Sequence, residues 1–191
     1  MAETRNKSIR EQLIIAGIHE INQYGIQNFS VRRVANECGI SCAAPYRHFK
    51  DRQSFVAAIV EYINKQWSER QQRILSEYPS EVRKQLLEIS LDYVRFLMEK
   101  PYFRSIIMSK DVEFDSEYQK LRSQLSNIAR SLIREYCVEH HISEDDEKRK
   151  TYIIRSLIYG AALMFDNGEM EYNEENMNYV KYSIDREFDL P

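Results

Sequence analysis

Within ten residues, Ser41, Cys42, Ala43, Ala44, Tyr46, Arg47, His48 and Lys50 place small side chains next to hydrogen-bond donors, a combination suited to a nucleic-acid groove. Cys42, Ala43 and Ala44 are small enough to approach thymine methyls or base edges. Tyr46, Arg47, His48 and Lys50 can donate to phosphate oxygens or guanine. The preceding residues predict how this segment is carried. Ser30 is a helix N-cap type, and Val31, Val34, Ala35 and Cys38 recur at the spacing of one apolar helix face. Gly39 ends that helix through the left-handed conformation, Ile40 plugs the corner, and Ser41 caps a second helix reaching Phe49. Helices joined so tightly cross steeply, which is the helix-turn-helix geometry: the second enters a major groove while the first crosses the backbone. Ser30 with the amides after it, and Arg32 one turn further on, can hold backbone phosphates.

Plainer roles compete for several of these side chains. Tyr46 could be packing, and His48 could fill a core corner beside Phe49. Cys42 at the tip invites a redox reading, but a small neutral residue explains it equally well. Cys137, Glu139, His140 and His141 are the only cluster of metal-ligand types. Adjacent histidines point to different sides of a helix, and a polar helix end next to a turn accounts for them, so no metal and no cofactor is expected.

The elements that must position the segment read as helical throughout. The chain has 191 residues, 43% of them hydrophobic, enough for a substantial core, and glycine and proline are scarce. About nine helices are expected in an all-α fold. The first runs from Lys7 to Tyr24 with Ile9, Leu13, Ala16, Gly17, Ile21 and Tyr24 on one face, closed by Gly25. A long fourth helix from Asp51 reaches Pro79 as a strut, and Ser80 caps the next, which ends at Lys100 and Pro101. A short helix around Tyr102 to Met108 precedes the acidic stretch DVEFDSE. Further helices span Leu121 to Tyr136, Ser143 to Phe165, and Asn173 to about Glu187. Arg149, Lys150 and Glu144 to Glu147 are expected on a solvated face.

Charge is asymmetric along the chain. Residues 1–55 carry eight bases against five acids, while the remainder carries nineteen against twenty-five. That distribution fits a protein whose N-terminal part alone meets phosphate. Three cysteines without close pairing favour reduced thiols. No run approaches a membrane span, and the polar start MAETRNKSIREQ lacks the apolar stretch of a signal peptide, so a cytoplasmic location without membrane contact is expected.

Gly39, Ile40, Ser41, Cys42, Ala43, Ala44, Tyr46, His48, Phe49 and Arg52 resemble the DNA-binding segment of the TetR/AcrR family of bacterial transcriptional regulators, a likeness covering about Ser8 to Val60. Two departures stand out. Arg52 replaces the usual lysine, and Pro45 replaces a leucine or isoleucine, deleting the first amide-to-carbonyl bond of a helix capped by Ser41. The resemblance implies DNA contacts from Ser41, Cys42, Ala43, Ala44, Tyr46, Arg47 and His48, and backbone contacts from Ser30, Arg32, Lys50 and Arg52. It also implies a helix-turn-helix domain over residues 1–52 and a helical ligand-binding and dimerisation domain over 53–191.

The same resemblance implies a homodimeric repressor on a double-stranded palindromic operator, released by a small-molecule effector. Tyr93, Phe96, Phe103 and Met164 are candidates for the effector cavity, although ordinary core would also use such residues. Tyr152 to Phe165 and Tyr179 to Phe188 are the implied dimer surfaces. Two alternatives stand beside it. One is an activator, or a regulator answering to a protein partner. The other is a helical enzyme or binding module, against which no glycine-rich phosphate loop occurs between Ile40 and Tyr159 and no nucleophile and base pair is evident.

Overall fold

Gly17 faces Ile59 and Phe55 so closely that a Cβ there would lie 2.8 Å from the Ile59 Cδ1, and this contact sets how the first helix docks. The computed structural model describes residues 8–101, 103, 120–121 and 123–190. Among these, seven α-helices and two 3₁₀ turns have both ends defined, residues 101, 103, 120–121 and 123–124 are helical as well, and no strand occurs, so the all-α expectation holds. The helices are α1 (Ile9–Tyr24), α2 (Val31–Glu37), α3 (Arg52–Glu77), α4 (Val82–Glu99), α5 (Asn127–Glu139), α6 (Glu144–Asp166) and α7 (Glu174–Glu187). The expected count of nine is reduced for two reasons. The segment after Ser41 is built of turns, and the short helix near Tyr102 to Met108 lies, apart from Phe103, outside the described residues, as does DVEFDSE.

Contacts divide the chain into two units, Met1–Gln66 with Pro101–Gln124, and Trp67–Lys100 with Leu125–Pro191. In the first, α1 begins at Ser8, whose hydroxyl accepts from the Glu11 amide at 3.2 Å. Leu13, Ile14, Ala16, Gly17, Ile18 and Ile21 are buried, whereas Ile9 and Tyr24, expected on the same face, are exposed. Both sit at helix ends, beyond the reach of the core. The unit's aromatic centre is Phe49 stacked on Phe55 at 3.9 Å between ring centroids, with Phe29 edge-on to Phe55 at 5.2 Å.

In the second unit Trp67 donates its indole N–H to the Leu125 carbonyl at 2.9 Å and packs on Tyr93 and Phe96. α6 and α7 are capped by Ser143 and Asn173, as their sequences predict. α4 is not capped by Ser80, which lies in the preceding turn with φ +65°; the helix starts at Val82 instead. α5 ends with His141 at φ +54°, and the Ile142 amide reaches back to the Cys137 carbonyl at 2.8 Å, so the histidine pair serves a helix terminus.

Lys150 corrects the expected solvated face. It is only 1% exposed, and its ammonium donates to the Glu187 and Leu190 carbonyls at the C-terminal end of α7. Cationic donors are favoured there because the last carbonyls of a helix lack partners and carry its negative dipole end. Tyr136 donates its hydroxyl to the Phe188 carbonyl at 3.1 Å, and Arg83 pairs with Asp185 and Asp189, so three side chains close this terminus. The pairing raises the pKa of Arg83, the Asp189 hydrogen bond being the largest cause.

Gly17→Val should lower the unfolding free energy by about 2 kcal/mol, the usual cost of forcing bulk into a filled core. Urea unfolding followed by circular dichroism measures it; an unchanged midpoint would show that α1 is free to move away.

Candidate nucleic-acid interface

The frame that holds the interface is built around one buried carboxylate. Glu20 of α1 is 3% exposed, and its Oε1 accepts from the Ser30 amide at 3.1 Å and from Arg33 Nε at 2.8 Å. Arg33 also donates to the Asn28 carbonyl at 2.6 Å and lies over the Tyr24 ring. Its pKa is raised, mainly by the hydrogen bond to Glu20. Ser30 caps α2 through the Arg33 amide, as its sequence predicts. Thus the start of α2 is tied to α1 before any DNA is present.

The end of α2 follows the expected turn closely. Gly39 has φ +67°, its amide donates to the Asn36 carbonyl, and the Ile40 amide reaches the Ala35 carbonyl at 3.0 Å. This paired return satisfies carbonyls that a helix end leaves open, and it needs the left-handed backbone that glycine adopts without strain.

The next segment departs from expectation. Instead of an α-helix from Ser41 to Phe49, the chain makes successive turns around a 3₁₀ turn at Pro45–Arg47. Proline supplies the reason. With no N–H at Pro45, the Ser41 carbonyl accepts from the Ala44 amide at 2.9 Å, three residues on rather than four. Ser41 therefore serves through its carbonyl, and no side-chain cap forms at the start of the 3₁₀ turn, whose N-cap is Ala44. Pro45 and Phe49 are buried and anchor the segment, while Ser41, Cys42, Ala43, Tyr46, Arg47, His48 and Lys50 are exposed and Ala44 is half-buried. Tyr46 is 56% exposed. Packing therefore does not account for Tyr46 or His48.

Arg32 is exposed on α2, and Ser30 is half-buried. Arg52 has a task that its sequence context does not announce. Its guanidinium donates to the carbonyls of Ile26 at 2.6 Å, Gln27 at 3.0 Å and Phe29 at 3.3 Å, clamping the turn that leads into α2. Beside it, Asp51 and Ser54 form reciprocal caps: the Ser54 amide donates to Asp51 Oδ1 at 2.8 Å, and the Asp51 amide to Ser54 Oγ at 3.0 Å. These bonds favour the carboxylate and hold the Asp51 pKa below its ordinary value. Glu20, Arg33 and the Arg52 clamp are the residues that the motif reading missed; the one available signal was a charged residue, Glu20, next to the apolar Gly17 and Ile21.

Tyr93 and Phe96 lie with Trp67 in the second unit, where Tyr159 also meets Tyr93, while Phe103 packs edge-on to Tyr62 in the first. Met164 is half-buried on α6. Cys38, Cys42 and Cys137 are free thiols, and burial raises the pKa of Cys38 and Cys137.

A tightly turned α1, α2 and polar-tipped third segment, with exposed donors on a fixed frame, define a helix-turn-helix regulator. Residues 13–59 match the family model for "Bacterial regulatory proteins, tetR family", which supports membership of the TetR/AcrR family. It is similar to the nucleoid occlusion factor SlmA of Vibrio vulnificus, 24% identical over 140 residues that span 68% of this chain and 71% of that protein. It also resembles the HTH-type transcriptional regulator SAB2452 of Staphylococcus aureus, 29% identical over 38% of each chain. The fold matches the transcriptional regulator FadR of Bacillus subtilis, solved with stearoyl-CoA, at a TM-score of 0.74 and 15% identity, covering 93% of this chain and 96% of that one. Among the described residues no helix is long and apolar enough to cross a membrane.

Two outcomes separate the frame from the contact surface. Arg52→Ala should destabilise the protein by about 2 kcal/mol, because three backbone carbonyls lose a charged donor, whereas Arg47→Ala should leave the thermal midpoint unchanged. The Asp51 cap contributes stability at pH above the ordinary carboxylate value of 3.8 and loses it as pH falls through the lower folded value. Asp51→Asn should flatten that acid limb in pH-dependent melting curves; an identical limb in the variant would show that other carboxylates govern it.

Proposed function

We propose that the protein is a homodimeric repressor that reads a palindromic operator with residues 1–52 and senses a small molecule with residues 53–191. The observation carrying this reading is the exposed row Arg32, Tyr46, Arg47, His48 and Lys50, held by a frame whose own polar bonds are already satisfied. Between Ser41 and Lys50 no carboxylate interrupts it. Arg32 and Lys50 take backbone phosphates. Ser41, Cys42, Ala43 and Ala44 give close approach to base edges, and Tyr46, Arg47 and His48 donate to phosphate or bases. Ser30 offers its hydroxyl at the start of α2 to a phosphate, its amide being held by Glu20, and Arg52 acts by fixing the turn before α2. No residue set is assigned a catalytic role, and the protein works in the cytoplasm.

A dimer supplies the second head, since two half-sites about 34–36 Å apart on one face of the duplex match a two-fold axis. Exposed Tyr152 and Leu163 on α6 and Tyr179 and Tyr182 on α7 support the assignment of Tyr152 to Phe165 and Tyr179 to Phe188 to that contact. Large apolar groups left uncovered on neighbouring helices are what a partner would bury. For the effector, half-buried Tyr93 and Met164 are better placed to meet a ligand than Phe96 and Phe103, whose surfaces are already occupied by protein. Release requires that the effector prefer the DNA-incompetent arrangement, by a factor equal to the loss in operator affinity.

A second reading keeps DNA binding, as in a relative named a nucleoid occlusion factor, but has the protein answer to a protein partner rather than a small molecule. Selection of bound genomic fragments, followed by a metabolite screen for release, distinguishes the two. On a selected fragment at fixed salt, Tyr46→Phe and Arg47→Ala should each weaken binding by about 1–3 kcal/mol without altering the oligomeric state. Unchanged affinity for both variants would remove this segment from the interface.

A further inference from the structure

Arg52, expected on the phosphate backbone, turns its guanidinium to the Ile26, Gln27 and Phe29 carbonyls, so the interface holds one cation fewer than its sequence promises. A different arginine stands next to the exposed segment. Arg10, in the first turn of α1, is exposed, and its guanidinium lies over the Phe49 ring, 5.5 Å from the centroid. Phe55 stacks on Phe49 at 3.9 Å and occupies one face of that ring, which leaves the other face for the cation. Phe49 itself is only 4% exposed, although His48 and Lys50 on either side of it are exposed. Arg10 is therefore fixed beside the last donors of the segment while belonging to another helix.

Interactions within the protein do not account for a cation at this place. Arg10 makes no ion pair among the described residues. Asp51, the carboxylate next to Lys50, is held by the Ser54 amide, and Glu11 follows Arg10 in α1, where its side chain leaves the helix about 100° away. The helix dipole adds to the conflict, because bases in a first turn are disfavoured. A guanidinium that is aligned by a ring, left without an ion pair and opposed by its own helix gains when a phosphate comes alongside. We infer that Arg10 is a phosphate-backbone contact of the interface, aligned by Phe49 and supplying the charge that Arg52 withdraws. This contact rests on the DNA-binding reading of Ser41 to Lys50 and extends that surface from the turns onto α1. Its chemistry separates it from Tyr46, Arg47 and His48. A guanidinium on a phosphate contributes affinity that depends on salt and hardly on sequence, whereas donors to base edges contribute discrimination. Arginine suits the place because its planar head stacks on a ring and still presents N–H groups to oxygen; lysine keeps only the charge.

The test is binding of the full chain to a selected genomic fragment and to a shuffled duplex of equal length, followed by fluorescence anisotropy from about 50 to about 300 mM salt. Arg10→Gln should lower the slope of log affinity against log salt by about 0.9 per bound chain, and should weaken both duplexes by one common factor, about threefold to tenfold at about 150 mM salt. Arg10→Lys should keep the slope. Lys65→Gln removes an exposed charge on α3, about 20 Å along the helix from Arg52, and should alter neither quantity. The slope reports charge neutralised rather than the amount of folded protein, so a partial loss of stability does not imitate the result. An unchanged slope in Arg10→Gln overturns the contact, as does a slope lost equally in Arg10→Lys or in Lys65→Gln. Weakening confined to the selected fragment makes Arg10 a base reader and overturns the phosphate assignment. Failure of the unaltered chain to bind either duplex overturns the DNA-binding reading itself, and this contact with it.

Discussion

The position of the candidate interface depends on the Glu20 carboxylate. A buried carboxylate without donors would be costly, and here Ser30 and Arg33 supply them from the first turn of α2. The helix start is where free amides and a positive dipole end favour an anion, so α1 provides an internal counterpart to a phosphate at that terminus. Direction as well as stability comes from this. Once the α2 start is held, the glycine turn at Gly39 fixes where Ser41 begins, and the Phe49 and Phe55 stack fixes where the exposed segment ends. The exposed donors between these points inherit their placement from contacts that never touch DNA.

Within those limits Pro45 exchanges regular helix for tight turns. A full α-helix would repeat its exposed positions every three to four residues, whereas a 3₁₀ turn rotates successive side chains by a larger angle. Tyr46 and Arg47 in the turn, and His48 that closes it, therefore point in directions about 120° apart at a rise of about 2.0 Å per residue. The burial of Pro45 shows why the substitution is tolerated: its ring joins the packed side of the segment, and the lost amide is compensated by the Ala44 bond to Ser41. Donors anchored at both ends of so short a segment suit contact with few bases, which is the physical reason the proposed function pairs two heads on one site.

The sequence disclosed those features that depend on local periodicity and backbone chemistry. Ser30, Gly39, Ser143 and Asn173 mark helix ends because capping and left-handed turns are properties of a few residues. Pro45 was legible as a lost hydrogen bond, though the shift to 3₁₀ turns required knowing which amide replaced it. Long-range polar bonds were not legible. Arg52 reads as a phosphate-binding cation until Ile26, Gln27 and Phe29 are seen around it. Lys150 reads as solvated inside the run EDDEKRK, yet it shares a helix stripe with buried Ile154, Ile158, Ala161 and Phe165. Periodicity pointed inward, while residue type pointed outward. The α7 carbonyls decide between them.

That resolution bears on association as well as on folding. The exposed tyrosines of α7 lie on a helix whose C-terminal end is held by Lys150, Tyr136 and Arg83 from three other helices. A frayed terminus would have to be ordered whenever a partner bound, and that entropy would oppose association. Here the ordering is contributed by folding of the single chain. In the proposed dimer the buried lysine helps to keep the α7 end that carries Tyr179 and Tyr182 in one shape, so apolar area covered by a partner would translate more fully into affinity.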